Sequence, residues 1–69
     1  MGFVMKWTDI ESIAISLEEN YPAQDIFYTR FTDLRLMVLK LPGFNDDDRG
    51  CNEKILESIQ LAWNEERNK

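Results

Sequence analysis

The sequence predicts a small, mainly α-helical domain of three helices with at most a minor extended element. Its 69 residues suffice for one hydrophobic core, so we expect a single domain over residues 1–69. Hydrophobic residues make up 43% of the chain and charged residues 30%, proportions that are typical of a globular protein. Three segments place apolar residues at helical spacing, and each begins near a residue that can cap a helix.

The first predicted helix begins at Thr8, because Glu11 follows at the spacing of a capping box. It should end at or just before Tyr21, since Pro22 disfavours helical geometry in the residue that precedes it. One apolar stripe runs along this helix and consists of Ile10, Ile13, Ala14, Leu17 and Tyr21.

The segment from residue 23 to residue 31 carries bulky side chains without a helical pattern. Residues 28–31 favour extended structure, so we expect a loop that contains a short extended piece. Residues 3–5 are its expected pairing partner.

Thr32 and Asp33 are predicted to cap the second helix, which ends at the turn formed by residues 42–43. Leu36 and Leu39 lie on the outer side of its helical wheel. These two leucines either form a contact surface or are buried beneath the bulky loop that precedes the helix. The inward stripe consists of Leu34, Met37, Val38 and Leu41.

An acidic loop, residues 44–50, precedes the third helix. Cys51 or Asn52 is expected to cap this helix, and Asn52 is the better acceptor. The inward stripe consists of Ile55, Leu56, Ile59, Ala62 and Trp63. The residues predicted to face solvent are Glu53, Lys54, Glu57, Ser58 and Gln60.

The charge composition argues against nucleic-acid binding. The chain has 8 basic and 13 acidic residues and a formal net charge of −5, so it repels a phosphate backbone. It has no histidine and one cysteine, Cys51, which removes the usual catalyst at neutral pH and leaves too few ligands for a thiolate zinc site. We therefore expect no enzymatic activity.

The same features predict a soluble, cytoplasmic protein. A lone cysteine cannot form an internal disulfide, which suits a reducing compartment. No segment approaches the roughly 20 apolar residues that a membrane span needs. We therefore expect no contact with a membrane.

Glu11, Glu18 and Glu19 surround Ile15 on the polar side of the first helix. An apolar residue between carboxylates suits contact with a basic protein surface, and we expect these four residues to bind a partner. Glu18 and Glu19 are also candidate oxygen ligands for a weakly bound hard cation. A solvated acidic surface without a binding role is the alternative interpretation.

The acidic loop supplies the second candidate cluster, Asp46, Asp47 and Asp48. The same two interpretations apply to it: partner binding through charge and weak binding of a divalent cation. The spacing fails the template of an EF-hand, because Arg49 occupies a ligand position and Leu56 stands where the bidentate glutamate belongs.

Several short motifs, each present once, are distributed along the chain from residue 6 to residue 66. They are KWTD at 6–9, YP at 21–22, RFTDL at 30–34, Phe44 before the acidic run, NEKILE at 52–57 and AW at 62–63. In this order and at these spacings they resemble the IscX (YfhJ-like) family of iron–sulphur cluster assembly proteins. The resemblance implies a small helical fold described as a modified winged helix.

The resemblance also implies a function in the cytoplasm. Members bind the cysteine desulfurase through an acidic face, compete there with bacterial frataxin and regulate cluster formation. The scaffold and the ferredoxin of the same system are further implied partners. Weak binding of ferrous iron is implied, without a tightly bound cofactor, although Ala23 and Asn45 replace carboxylates of the family pattern. The alternative is an iron carrier that donates iron without a regulatory protein contact.

Overall fold

The structure, a computed structural model, describes residues 4–69 and all of their side chains except that of Asp48. It contains three α-helices, which we label α1 (Ile10–Asn20), α2 (Phe31–Leu39) and α3 (Glu53–Arg67). A short 3-10 turn, Asp48–Gly50, precedes α3. The mainly helical fold predicted from the sequence is confirmed. No helix within residues 4–69 is long and apolar enough to cross a membrane.

The core lies mainly between α1 and α3, which make the most extensive contact between helices. The predicted stripes supply it, because residues at helical spacing come to lie on one side of each helix. Leu34 and Val38 of α2 close the core and are fully buried. The buried apolar residues of α1 and α3 are Ile13, Ala14, Leu17, Leu56, Ile59 and Trp63.

The starts of α1 and α2 differ from the prediction. The N-cap of α1 is Asp9 and not Thr8, and the helix has no side-chain cap. The carboxylate of Asp9 instead accepts the backbone N–H of Lys6 at 2.8 Å. The predicted caps of α2, Thr32 and Asp33, are wrong, since both lie inside the first turn of a helix that begins at residue 31.

The start of α3 is as predicted. Asn52 has an extended backbone, and its Oδ1 accepts the N–H of Ile55 at 2.9 Å. This bond satisfies one of the amide groups that the first turn of a helix leaves without a partner.

The predicted extended piece is wrong, because residues 26–29 form turns and residue 31 begins α2. Met5 pairs instead with Phe44 in a single parallel bridge. The N–H of Met5 donates to the carbonyl of Gly43 at 2.8 Å, and the N–H of Asn45 donates to the carbonyl of Met5 at 3.0 Å.

Gly43 allows this pairing, because the chain turns sharply there before Phe44. Its φ of 84° lies in the left-handed region, which favours glycine. The prediction that residues 3–5 pair with residues 28–31 is thus wrong for Val4 and Met5. Phe3 lies outside the described residues.

Gln60 was expected to face solvent, but it is buried. Its side-chain amide donates to the carbonyls of Ile26 at 3.2 Å and Thr29 at 3.4 Å. A polar side chain is tolerated inside because its hydrogen bonds are made there, and because it satisfies two carbonyls of the loop.

The loop before α2 does not cover the outer side of that helix. Ile26 is buried, but Phe27 and Tyr28 are exposed. Leu36 stays 46% exposed, whereas Leu39 is partly buried against the core. Of the two alternatives for these leucines, exposure holds for Leu36 and partial burial for Leu39.

Candidate functional site

The outer side of α1 brings together three of the predicted binding residues. Glu11, Ile15 and Glu19 are spaced four residues apart, so their side chains line up along one side of the helix. All three are exposed, and Ile15 keeps 42% of its accessible surface. We call these three residues the α1 face. It offers a partner an apolar centre between two carboxylates.

A shallow, open groove borders the α1 face. Its lining combines apolar side chains, two serines and one carboxylate: Met5, Ser12, Ile15, Ser16, Glu19 and Pro42. Long basic side chains lay their methylene stems on apolar surface and keep the charged end in a polar environment. The groove therefore suits a lysine or an arginine of a partner, with its charge close to Glu19.

Glu18 belongs to the predicted cluster, but its carboxylate is directed to α3. Its Oε1 accepts hydrogen bonds from Nε1 of Trp63 at 3.0 Å and from Nε of Arg67 at 2.9 Å. Arg67 also donates to the carbonyls of Tyr21 and Gln24, and its guanidinium lies 5.5 Å from the ring centroid of Trp63. Glu18 thus has a structural task, which is to hold α1 to the end of α3.

Asp46 is also bound within the chain. Its Oδ2 accepts the backbone N–H of Trp7 at 3.1 Å, and its Oδ1 accepts the N–H of Asp47 at 2.8 Å. The hydrogen bond from the Trp7 N–H is the largest cause that lowers the pKa of Asp46, and the Asp47 N–H and the charge of Lys6 act in the same direction. Desolvation raises this pKa but by less, so the pKa of Asp46 lies below its usual value. The indole Nε1 of Trp7 donates to the carbonyl of Asp47 at 2.7 Å, so the acidic loop is held against a buried tryptophan.

Asp47 presents its carboxylate to solvent, with a side chain that is 62% exposed. Its Oδ1 accepts the N–H of Arg49 at 3.0 Å, and its Oδ2 lies 3.5 Å from the Nε of Arg49. An exposed ion pair of this kind is weak and yields readily to a competing charge. The backbone of Asp48 begins the 3-10 turn, and its side chain lies outside the described part of the structure.

The structure separates Glu18 from Glu19, two of the side chains that were predicted as metal ligands. Glu18 is bound to α3, whereas Glu19 lies at the groove beside the α1 face. Among the described side chains, no three carboxylates or thiols come close enough to hold a metal ion together. Metal binding therefore stays a prediction.

Arg67 and Gln60 make structural contacts that the sequence does not reveal. Both are polar residues on α3, and helical spacing alone assigns neither of them a partner. Their contacts run to the segment between α1 and α2, through the carbonyls of residues 21, 24, 26 and 29. The sequence contains one indication of these contacts, which is that residues 23–31 lack a helical pattern. An irregular segment has backbone carbonyls that need hydrogen-bond donors from elsewhere in the chain.

Comparison with known proteins finds relatives over almost the whole chain. The family described as iron–sulphur cluster assembly matches residues 5–68. An uncharacterized protein of Pseudomonas aeruginosa is 52% identical over 63 residues, which cover 91% of this chain and 96% of that protein. The residues matched by the family, 5–68, include the α1 face and the acidic loop.

Proposed function

Because the chain belongs to the family of iron–sulphur cluster assembly proteins, the IscX family, we propose that it is an acidic adaptor of the cysteine desulfurase. In this proposal it competes with bacterial frataxin for the desulfurase and regulates cluster formation. The scaffold and the ferredoxin of the assembly system are further candidate partners. The observation that carries the proposal is the α1 face, where Glu11 and Glu19 flank an exposed Ile15.

Electrostatics supports a basic partner surface. The net charge of −5 attracts basic proteins, raises the rate of association and makes binding sensitive to salt. Ile15 adds apolar area that a purely charged surface lacks, and burial of apolar area stabilises a complex. Charge thus accounts for the choice of partner, and Ile15 accounts for part of the affinity.

The test is an NMR titration of isotope-labelled protein with cysteine desulfurase at low and at moderate ionic strength. Signals of residues 11–19 should shift or broaden, and the effect should weaken with salt. Glu19→Lys should weaken binding about tenfold or more, since it places a like charge against a basic surface. Asp33→Lys, which makes the same change of charge at an exposed position of α2 outside both acidic clusters, is the matched control.

Equal weakening by Glu19→Lys and Asp33→Lys would mean that net charge binds the desulfurase and that the α1 face has no special role. Absence of binding at low salt would contradict the adaptor function altogether. Glu18 and Asp46 are unsuitable for this test, because both carboxylates hold the fold together.

Ferrous iron is the second ligand that we propose, bound weakly at the acidic loop. The supporting observation is the exposed carboxylate of Asp47 beside Asp48 in the chain, since carboxylate oxygens suit hard and borderline cations. An anaerobic titration with Fe²⁺ should give saturable NMR shifts at residues 46–48 that Asp47→Asn removes. Diffuse shifts that do not saturate would contradict this site. Saturable iron binding without desulfurase binding would support the alternative function of an iron carrier.

A further inference from the structure

Two aromatic side chains between α1 and α2 are exposed and take no part in the contacts proposed above. Phe27 keeps 56% of its accessible surface and Tyr28 keeps 87%, whereas Trp7 and Trp63 are almost completely buried. Burial of an aromatic side chain is strongly favourable. A pair of neighbouring aromatics in solvent therefore points to a surface that is buried in a complex.

The turn that carries these aromatics is held in place by hydrogen bonds on both sides. Ile26 and Thr29, which enclose the pair, are buried, and Gln60 donates to the carbonyls of both. The N–H of Thr29 donates to the carbonyl of Ile26 at 3.3 Å, and its hydroxyl donates to the carbonyl of Asp25 at 2.6 Å. The turn is therefore preorganised, so little conformational entropy is lost when it binds.

The turn leads into a shallow groove between the starts of α2 and α3. The groove is lined by Phe31, Asn52, Glu53, Lys54 and Glu57. Leu61, one helical turn after Glu57, is 55% exposed and directly follows the Gln60 that anchors the turn. We call Phe27, Tyr28 and Leu61 the aromatic-loop surface.

Two carboxylates border Leu61 on the α3 side of the aromatic-loop surface. Glu57 and Glu65 lie four residues before and after Leu61 on α3, so their side chains neighbour it along the helix. Both are exposed. The α3 side of the surface therefore carries an apolar side chain between two negative charges.

We propose that the aromatic-loop surface is a second docking site, for a protein segment whose apolar side chains are flanked by lysine or arginine. Phe27 and Tyr28 are the apolar anchors, since aromatic residues dominate the binding energy of interfaces. Glu57 and Glu65 pair with the basic flanks. Two copies of this chain each carry a net charge of −5 and repel each other, which favours a different, basic protein as the occupant.

The test is a selection of random peptides displayed on phage, performed in parallel on the full chain and on the double variant Phe27→Ser/Tyr28→Ser. Peptides that bind the full chain and fail on the double variant should contain apolar residues flanked by Lys or Arg. One such peptide, made synthetically, should shift NMR signals of residues 24–31 and 60–61 and bind the double variant at least about tenfold more weakly.

Two controls separate this surface from general effects. Leu36→Ser removes a comparably exposed apolar side chain (46%) from α2 and should leave peptide binding unchanged. Glu19→Lys changes the α1 face and should also leave it unchanged, so the two docking surfaces are tested independently. Thermal unfolding of the double variant should match the parent chain, because both replaced side chains are exposed.

Three outcomes would overturn the proposal. In the first, no selected peptide distinguishes the parent chain from the folded double variant. In the second, the peptides that do so carry no excess of basic residues. In the third, sedimentation shows a dimer that Phe27→Ser/Tyr28→Ser abolishes, which would make a second copy the occupant.

Discussion

The carboxylates of Glu18 and Asp46 each accept two hydrogen bonds from within the chain, whereas Glu11 and Glu19 are exposed. Residues of the same chemical type thus fall into two groups. One group positions the secondary structure, and the other faces solvent. A charge-reversal scan that treats all 13 acidic residues alike would mix losses of stability with losses of binding.

Asp46→Asn should remove a pH-dependent contribution to the free energy of unfolding. The folded chain lowers the pKa of Asp46 below the ordinary value of 3.8, so its ionised carboxylate stabilises the fold fully above about pH 3.8. This stabilisation is lost as the pH falls through the lower folded value. Urea unfolding from about pH 7 to about pH 2 should show a variant that is less stable near neutrality and loses less stability on acidification. If variant and parent lost the same free energy of unfolding between neutral and acidic pH, the prediction would be contradicted.

At the scale of the element, α3 combines a capped start with a well-formed apolar stripe. Asn52→Ala should lower the free energy of unfolding by about 1 kcal/mol, because the N–H of Ile55 loses its acceptor. Asn52→Asp keeps an acceptor oxygen at the same place and should retain most of the stability. Chemical denaturation of the three proteins checks this, and equal losses in both variants would show that the cap is not the cause.

The elements also show what the sequence predicts and what it does not. Helical spacing predicted the stripes, because burial of one side of a helix imposes that spacing. It also predicted that Glu11, Glu18 and Glu19 surround Ile15 on the polar side of α1, which holds for Glu11 and Glu19 but not for Glu18. The start of α1 was missed because the carboxylate of Asp9 bonds to the N–H of Lys6 instead of to the helix.

Contacts between distant segments were missed for a different reason. The bridge between Met5 and Phe44 and the bonds of Gln60 and Arg67 join segments far apart in the chain. Which carbonyl or carboxylate such a group meets depends on how the helices pack, and the spacing of residues within one helix does not contain that information. For the same reason, the structural task of Glu18 was not visible in the sequence.

At the scale of the whole molecule, the two ends of the described chain are each held to the interior by a tryptophan. Trp7 packs edge-on against Phe44 with ring centroids 4.9 Å apart and donates to the acidic loop. A Cβ added at Gly50 would lie only 3.2 Å from Trp7 Cδ1, so the loop closes tightly over this ring. Trp63 and Arg67 perform the corresponding task at the other end, through Glu18.

Arg67→Lys should destabilise the molecule by about 1–2 kcal/mol although the charge is kept. The guanidinium joins α3 to Glu18 and to the carbonyls of Tyr21 and Gln24, and a lysine cannot reproduce this planar set of donors. Arg49→Lys is the matched control. It changes an exposed ion pair with Asp47, so its effect should stay below about 0.5 kcal/mol. Similar effects of the two variants on urea unfolding would contradict the assigned role of Arg67.

The placement of the tryptophans has a practical consequence. Each indole N–H donates to a different oxygen, the carbonyl of Asp47 for Trp7 and the carboxylate of Glu18 for Trp63. The molecule's two tryptophan fluorophores therefore lie in chemically distinct surroundings. In the single-tryptophan variants Trp63→Phe and Trp7→Phe, the emission spectrum reports separately on the acidic loop and on the junction of α1 with α3. Ligand binding and local unfolding can thus be followed at either place without an attached dye.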